Sequence, residues 1–390
     1  MTSYNIHQRL FSLGLASNIA VGCKGTQAEL IQKMDDALQS SIDNLGVGTW
    51  KVVWGPAVWK QDPESSETAA GHSWFVTCDT DLKHGEIATY VIAIAGVTAN
   101  SQVDISNVQN IDQVVDFLEL CRTTESPPVP VDPECTDPKR AYISLGAASG
   151  VYRLLNLASA SQGTTLTTFL KSISSNSRIV FTGQSIGGML ASVLAPTALR
   201  TGMLKNISLY NIYVYSISSP SPGNRPFADL FAESFPLTVA GKYAYQVWNA
   251  NIWSKFDLVP RAWNIGSVEE QNLWTIPSMY GKLPEPLTSL VSRAIKVMIE
   301  KSPALLKIDY TPIQGKMIIP RNAPPAPKTI VEFITTAGAQ HVQAYVNLFA
   351  APAPHPLRGL HDLEEAPIIN LLNNAMVAIE KAGETSVSTH

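Results

Sequence analysis

Charge is sparse in this chain. Only 15% of its 390 residues are charged, and the formal net charge is −4. No dense stripe of Lys and Arg appears, so the electrostatic footprint of a nucleic-acid binder is missing. Cysteine is scarce as well. Cys23, Cys78, Cys121 and Cys135 are the four, and no pair has metal-ligand spacing. A chain this long can bury a large core without a disulfide or a structural metal. Cys121 and Cys135 flank a Pro-rich stretch and can close a loop in an oxidising compartment, with four free thiols as the equal alternative. No apolar run is long enough to span a bilayer. The stretch from Leu10 to Val21 is broken by Ser12, Ser17 and Asn18 and has a thin basic flank, so it does not read as a signal peptide. Such a chain fits the cytoplasm, or secretion in a mature form. Asn206-Ile207-Ser208 is a glycosylation sequon, relevant only in the second case.

What is present is a long α/β pattern without a linker-like break. Residues 1–390 are therefore expected to form a single domain. Leu30, Ile31, Met34, Leu38 and Ile42 recur at helical spacing and predict an amphipathic helix over 26–44. Apolar runs predict strands at Trp50–Trp59, Trp74–Cys78, Tyr90–Ala95, Arg178–Thr182, Leu209–Tyr215 and Tyr243–Asn249. Helical segments are expected at Val114–Cys121, twice within 141–172 on either side of Gly163, and at Pro226–Glu233. Strands and helices alternating from residue 88 to 260 argue for a mostly parallel sheet with helices on both faces. Beyond it, 287–301 reads as an amphipathic helix, 303–328 as Pro-rich loop, and 351–390 as a tail with one helix near Ile368–Lys381.

One segment carries chemistry. Gly183-Gln184-Ser185-Ile186-Gly187 follows the apolar run ending at Thr182 and precedes a helix rich in small residues from Gly188 onward. G-x-S-x-G marks a serine on a tight strand-to-helix turn, where bulky side chains two residues away on either side would clash. The serine then stands at a helix N-terminus, where N–H groups favour developing negative charge. The plain structural alternative is a glycine-rich helix start packed on a sheet, but strand, turn, helix and the extra Gly188 favour a nucleophile.

A serine nucleophile needs a base and an orienting acid. In α/β-hydrolases these follow in the chain order Ser, then Asp or Glu, then His. Asp257, in Ser254-Lys255-Phe256-Asp257-Leu258-Val259-Pro260, is expected just beyond a parallel strand, where catalytic groups collect. A turn or helix cap is the commoner role of a lone Asp. The histidines that follow are His341, His355, His361 and His390. His341 opens a predicted helix, His355 lies between prolines and His390 is terminal, which leaves His361 as the one competitor. Neutral imidazole suits proton transfer because its pKa lies near working pH. Trp248, Trp253 and Trp263, near Asp257 in sequence, are candidates to line an apolar pocket or are ordinary core.

Taken together, these segments resemble the class 3 lipases, the fungal-lipase-like branch of the α/β-hydrolases. Thr182-Gly183-Gln184-Ser185-Ile186-Gly187-Gly188 resembles that family's T-G-H-S-L-G-G, with Gln184 where His is usual. Val214 to Asn224 resembles its V-Y-T-F-G-S-P-R-V-G-N. Asn249 to Pro260 is similar to its N-x-x-D-x-V-P, with a longer gap before the Asp, and His341 and Tyr345 fit H-x-x-x-Y. The resemblance implies an α/β-hydrolase fold with lid or cap insertions. It also implies Ser185 as nucleophile, Asp257 as orienting acid and His341 as base. An oxyanion hole would come from the backbone N–H groups of Ile186 and of Val97. Where the family has a hydroxyl residue this chain has Val97, so only Thr98 remains as a side-chain donor. Residues 99–135 stand where the family carries a lid, and 264–335 is a candidate cap insertion.

The function so implied is a serine carboxylic-ester hydrolase acting on lipid-like esters through an acyl-serine intermediate. It implies no cofactor and no metal, and it entails transient contact with a lipid interface without a transmembrane segment. A thioesterase or acyltransferase would use the same residues. A degenerate hydrolase that only binds acyl ligands is the alternative from another class. A non-catalytic partner-binding protein has no specific feature in its favour.

Overall fold

The computed structural model describes residues 4–79, 87–96, 111–266, 270–354 and 367–387. Seven strands form the main sheet: β1 (Trp50–Trp59), β2 (His72–Asp79), β3 (Ala88–Ile94), β4 (Ser177–Gln184), β5 (Ile212–Ile217), β6 (Ala250–Ser254) and β7 (Gly315–Ile318). They lie side by side in chain order. β1, β2 and β3 pair antiparallel, and β3 through β7 are parallel. This is the α/β-hydrolase architecture, a mostly parallel sheet covered by helices on both faces.

The central strands split their apolar residues between two cores, as period-two alternation requires. On β3, Ile92 and Ile94 face one core, and Val91 and Ala93 the other. On β4, Ile179 and Phe181 face the first and Val180 the second. The second core is closed by α1 (Ile6–Ala16) and α2 (Gln27–Asn44), both begun by capping boxes at Asn5 and Thr26. The apolar stretch that begins at Leu10 is therefore core: Leu10, Phe11, Leu13 and Leu15 are buried. The first core is filled by α3 (Leu145–Asn156), the helix Leu166–Ser172, α4 (Ile186–Arg200) and the helix Arg225–Ser234. A sheet whose parallel strands run in chain order puts all its right-handed crossovers on one side, which is why these helices share a face.

A third apolar cluster joins Phe256, Leu258 and Val259, which flank or follow Asp257, to α5 (Leu287–Glu300), α6 (Ile330–His341) and α8 (Pro367–Val387). The predicted amphipathic helix buries Leu287, Val291, Ala294 and Ile295 in it, while Leu290 and Met298 are half-buried at its edge. A short helix, α7 (Gln343–Phe349), leads from α6 back to the second core through Tyr345 and Phe349.

Several predicted elements are corrected. The strand before Asp257 is β6, ending at Ser254, not a strand ending at Asn249. Of Tyr243–Asn249 only Val247–Trp248 is extended, paired with Thr238–Val239. Asn249 has φ 61° and turns the chain into β6. The Pro-rich stretch 303–328 holds β7, which extends the sheet beyond β6, so this part of 264–335 belongs to the sheet rather than to a cap. Val114–Asp116 is a short strand before the helix Phe117–Arg122, and Tyr142–Ser144 another before α3. Leu209–Asn211 is a 3-10 turn before β5. Cys121 and Cys135 are free, as are Cys23 and Cys78.

Candidate active site

The elbow is made by backbone crowding. Ser185 links β4 to α4 with φ 59° and ψ −129°, a conformation costly to an L-residue. A Cβ on Gly187 would lie 2.2 Å from the Ile94 carbonyl oxygen, and one on Gly183 2.4 Å from the Gly187 carbonyl carbon. Both glycines are there because the turn, the helix start and the neighbouring strand β3 touch backbone to backbone. The Ser185 N–H donates to the Ile217 carbonyl at 2.9 Å, which pins the turn to the end of β5. Ile186 is the first residue of α4, whose first N–H groups have no acceptor within the helix.

The other groups arrive from the same edge of the sheet. Asp257 lies just past the end of β6 and is fully buried. His341, also fully buried, is the last residue of α6, not the start of a helix as its neighbours in sequence predict. Its Nδ1 lies 3.1 Å from Asp257 Oδ2 and 3.3 Å from Oδ1. The Ser185 hydroxyl and His341 Nε2 are both buried without a hydrogen-bond partner among the described residues. A histidine whose Nδ1 faces a carboxylate carries its proton there and presents Nε2 as a lone pair.

Asp257 is held by more than His341. The Val259 N–H donates to Oδ1 at 3.0 Å, the Tyr345 hydroxyl to Oδ2 at 2.8 Å, and the Ser218 hydroxyl also to Oδ2. The Tyr345 oxygen in turn accepts the Ser254 N–H at 2.8 Å. Burial raises the Tyr345 phenol well above its ordinary pKa, and the Asp257 charge adds to this, so it stays a donor at any working pH. Burial likewise raises Tyr280, again with Asp257 contributing. Arg261 does not pair with Asp257. Its guanidinium is spent on the Lys255 and Glu270 carbonyls and the Thr275 hydroxyl, and burial lowers its pKa.

Two residues without a role in the sequence reading enter here. Gln184, the departure from the usual His, donates to the His341 carbonyl at 2.6 Å and so ties the elbow to the end of α6. Ser218 stands where the family pattern F-G-S-P has glycine; that mismatch was the available signal. The histidines elsewhere behave differently. Burial lowers the pKa of His7 to about 4 and of His72 to about 3, the latter also through Arg153.

Val97 and Thr98, the expected oxyanion contributors, lie outside the described residues, as do His355, His361, His390 and part of the candidate lid 99–135. The strand before Val97 is described to Gly96, whose N–H donates to the Asn18 side chain at 2.9 Å and is thereby occupied. The tryptophans separate: Trp248 packs on His7, Tyr213 and Tyr215, and Trp253 is in β6. Trp253 also borders a cavity with Arg225 and Gln271, and Trp263 borders one of about 460 Å³ in which Val297, Met298 and Leu371 stand beside Asp112, Arg293 and Lys301. Among the described residues there is no cluster fit to hold a metal, and no helix is long and apolar enough to cross a membrane.

A G-x-S-x-G turn after β4, with an Asp after β6 and a histidine later in the chain, follows the α/β-hydrolase chain order. Residues 114–266 match the family described as Lipase (class 3). The matched segment contains Ser185, Ser218 and Asp257; His341 lies beyond it. The solved structure of M37 lipase is 22% identical, with a TM-score of 0.61 over 95% of this chain and 99% of that one. The LIP2 lipase of Yarrowia lipolytica is 16% identical, with a TM-score of 0.40 over 65% and 72%. A lipase from Rhizopus microsporus var. chinensis is 14% identical, with a TM-score of 0.36 over 67% and 71%. No curated protein matches the sequence.

Proposed function

We propose that this protein is a serine carboxylic-ester hydrolase of the lipase type, with Ser185, His341 and Asp257 as its catalytic groups. The observation that carries the reading is the buried, unpartnered Ser185 hydroxyl on a strained elbow, in a fold where an unpartnered His341 Nε2 is backed by Asp257. Ser185 Oγ attacks the ester carbonyl carbon while its proton passes to His341 Nε2. Asp257 holds the imidazole and stabilises its charged form. Ile186 N–H and, by the family resemblance, Val97 N–H receive the developing oxyanion, each such donor contributing about 3 kcal/mol in well-studied serine hydrolases. The imidazolium then returns the proton to the departing alkoxide, leaving an acyl-serine. Water, deprotonated by His341, attacks that acyl group and releases the acid with Ser185 restored.

The lipid-like substrate is supported by the match of residues 114–266 to the class 3 lipases; the cavity between α5 and α8 is lined by none of Ser185, Asp257 and His341. By the family resemblance, segments 99–135 and 264–335 are the candidate lid and cap insertions. The test is hydrolysis of p-nitrophenyl esters from short to long acyl chains by wild type and Ser185→Ala. Turnover should fall by about a thousandfold or more in the variant, with longer chains preferred by wild type. Equal turnover in both proteins sinks the reading. Folded wild type that turns over no chain length but retains a fluorescent fatty acid would favour an acyl-binding protein.

A further inference from the structure

We infer that Ser218 is a positioning residue for the His341–Asp257 pair, set beside both base and acid where the related pattern has only glycine. The inference rests on the hydrolase reading and extends it to a residue that reading does not require. Ser218 follows β5 directly and is fully buried. Its backbone has φ 54°, in the left-handed region that favours glycine. The strained conformation is held from both sides. The Ser218 N–H donates to the Ile252 carbonyl at 2.9 Å. Asn251 clamps the next residue, accepting the Ser219 N–H and donating to the Ser219 carbonyl, each at 3.0 Å.

What the strain delivers is a hydroxyl in contact with both groups. Ser218 Oγ lies 2.8 Å from His341 Nδ1, nearer than either Asp257 oxygen at 3.1 and 3.3 Å, and its own proton goes to Asp257 Oδ2. With the proton on Nδ1, a single chain of donation results: Nδ1–H to Ser218 Oγ, and Ser218 O–H to the carboxylate. A hydroxyl that both accepts and donates fixes the ring plane more tightly than a carboxylate 3.1 Å away can alone, because each bond restricts a different rotation. It also polarises toward His341 when the ring becomes charged, since its proton already points at Asp257. Ser218 touches neither substrate nor the attacking oxygen in this scheme; it acts through the imidazole.

The test uses the full chain with Ser218→Gly and Ser218→Ala, each assayed for kcat, KM and thermal midpoint. Glycine relieves the backbone and alanine keeps the strain, so folding is covered by at least one variant. Both should lose roughly ten- to hundredfold in kcat with KM within about twofold, and Ser218→Gly should melt no lower than wild type. Combining either with Asp257→Asn should cost far less than the product of the single losses, because the two act on one ring. Unchanged kcat in a folded Ser218→Gly overturns the inference, as does a loss that appears only in KM or a fully multiplicative double variant. A wild type inactive on every ester would bring down the hydrolase reading first and this inference with it.

Discussion

The elbow around Ser185 and the corner around Asp257 are built by opposite means. At the elbow, contiguous residues are fixed by main-chain contact: Gly183 and Gly187 leave no room for a Cβ against Ile94, and the Ser185 amide is tied to Ile217. In the corner, Ser218, Asp257, His341 and Tyr345 come from the end of β5, the loop after β6, the end of α6 and α7, and they meet only through side-chain hydrogen bonds. Main-chain crowding is unforgiving but local, so it writes itself into a five-residue pattern. A side-chain network can be assembled from any segments that the fold brings together, and each member can be exchanged at a modest cost.

Substitution should expose that difference. Gly187→Ala places a methyl 2.2 Å from a carbonyl oxygen at the end of β3, and neither partner can swing away because both are backbone. Overpacking of this kind at a strained site should cost about 4 kcal/mol or more, seen as a lost or strongly lowered denaturation midpoint. A variant as stable as wild type would mean that the elbow is not set by main-chain contact.

In the corner, Tyr345→Phe removes one donor from Asp257 and leaves the buried Ser254 N–H without its acceptor. The expected loss is about 1–3 kcal/mol of stability with a roughly tenfold fall in ester turnover, measured by urea unfolding and p-nitrophenyl ester kinetics. The Val259 amide, Ser218 and His341 still hold the carboxylate, so the protein should fold. A collapse as large as that of Gly187→Ala would erase the proposed contrast.

The same contrast decides what was legible in the sequence. Gly183 to Gly188 could be read directly, because their spacing has one steric cause. Helices such as α2 and α5 followed from apolar periodicity. The parallel sheet followed from alternation, but β6 was misplaced, since the aromatic run Tyr243–Asn249 has strand composition and loop geometry. β7 was missed because its few residues lie inside a Pro-rich stretch. His341 ends α6 instead of opening a helix, and its place beside Asp257 depends on tertiary packing that periodicity does not report. Ser218 and Gln184 appeared only as mismatches to a family pattern, and what a mismatch does depends on neighbours far away in the chain.

Gln184 is where the two regions join, and it offers the mildest test. Its amide nitrogen donates to the His341 carbonyl at 2.6 Å, while its amide oxygen is buried without a partner. Gln184→Leu therefore removes one good hydrogen bond and one unsatisfied acceptor together, and these effects oppose each other. The net change in stability should stay within about 1 kcal/mol. The tether does not touch the imidazole ring, which Ser218 and Asp257 orient from the other side. Turnover should accordingly fall only a few fold, with KM unchanged. If kcat instead fell as far as in Tyr345→Phe while the melting point held, the base would be placed by its main chain as well as by its ring contacts. The backbone logic of the elbow would then extend across the seam into the corner.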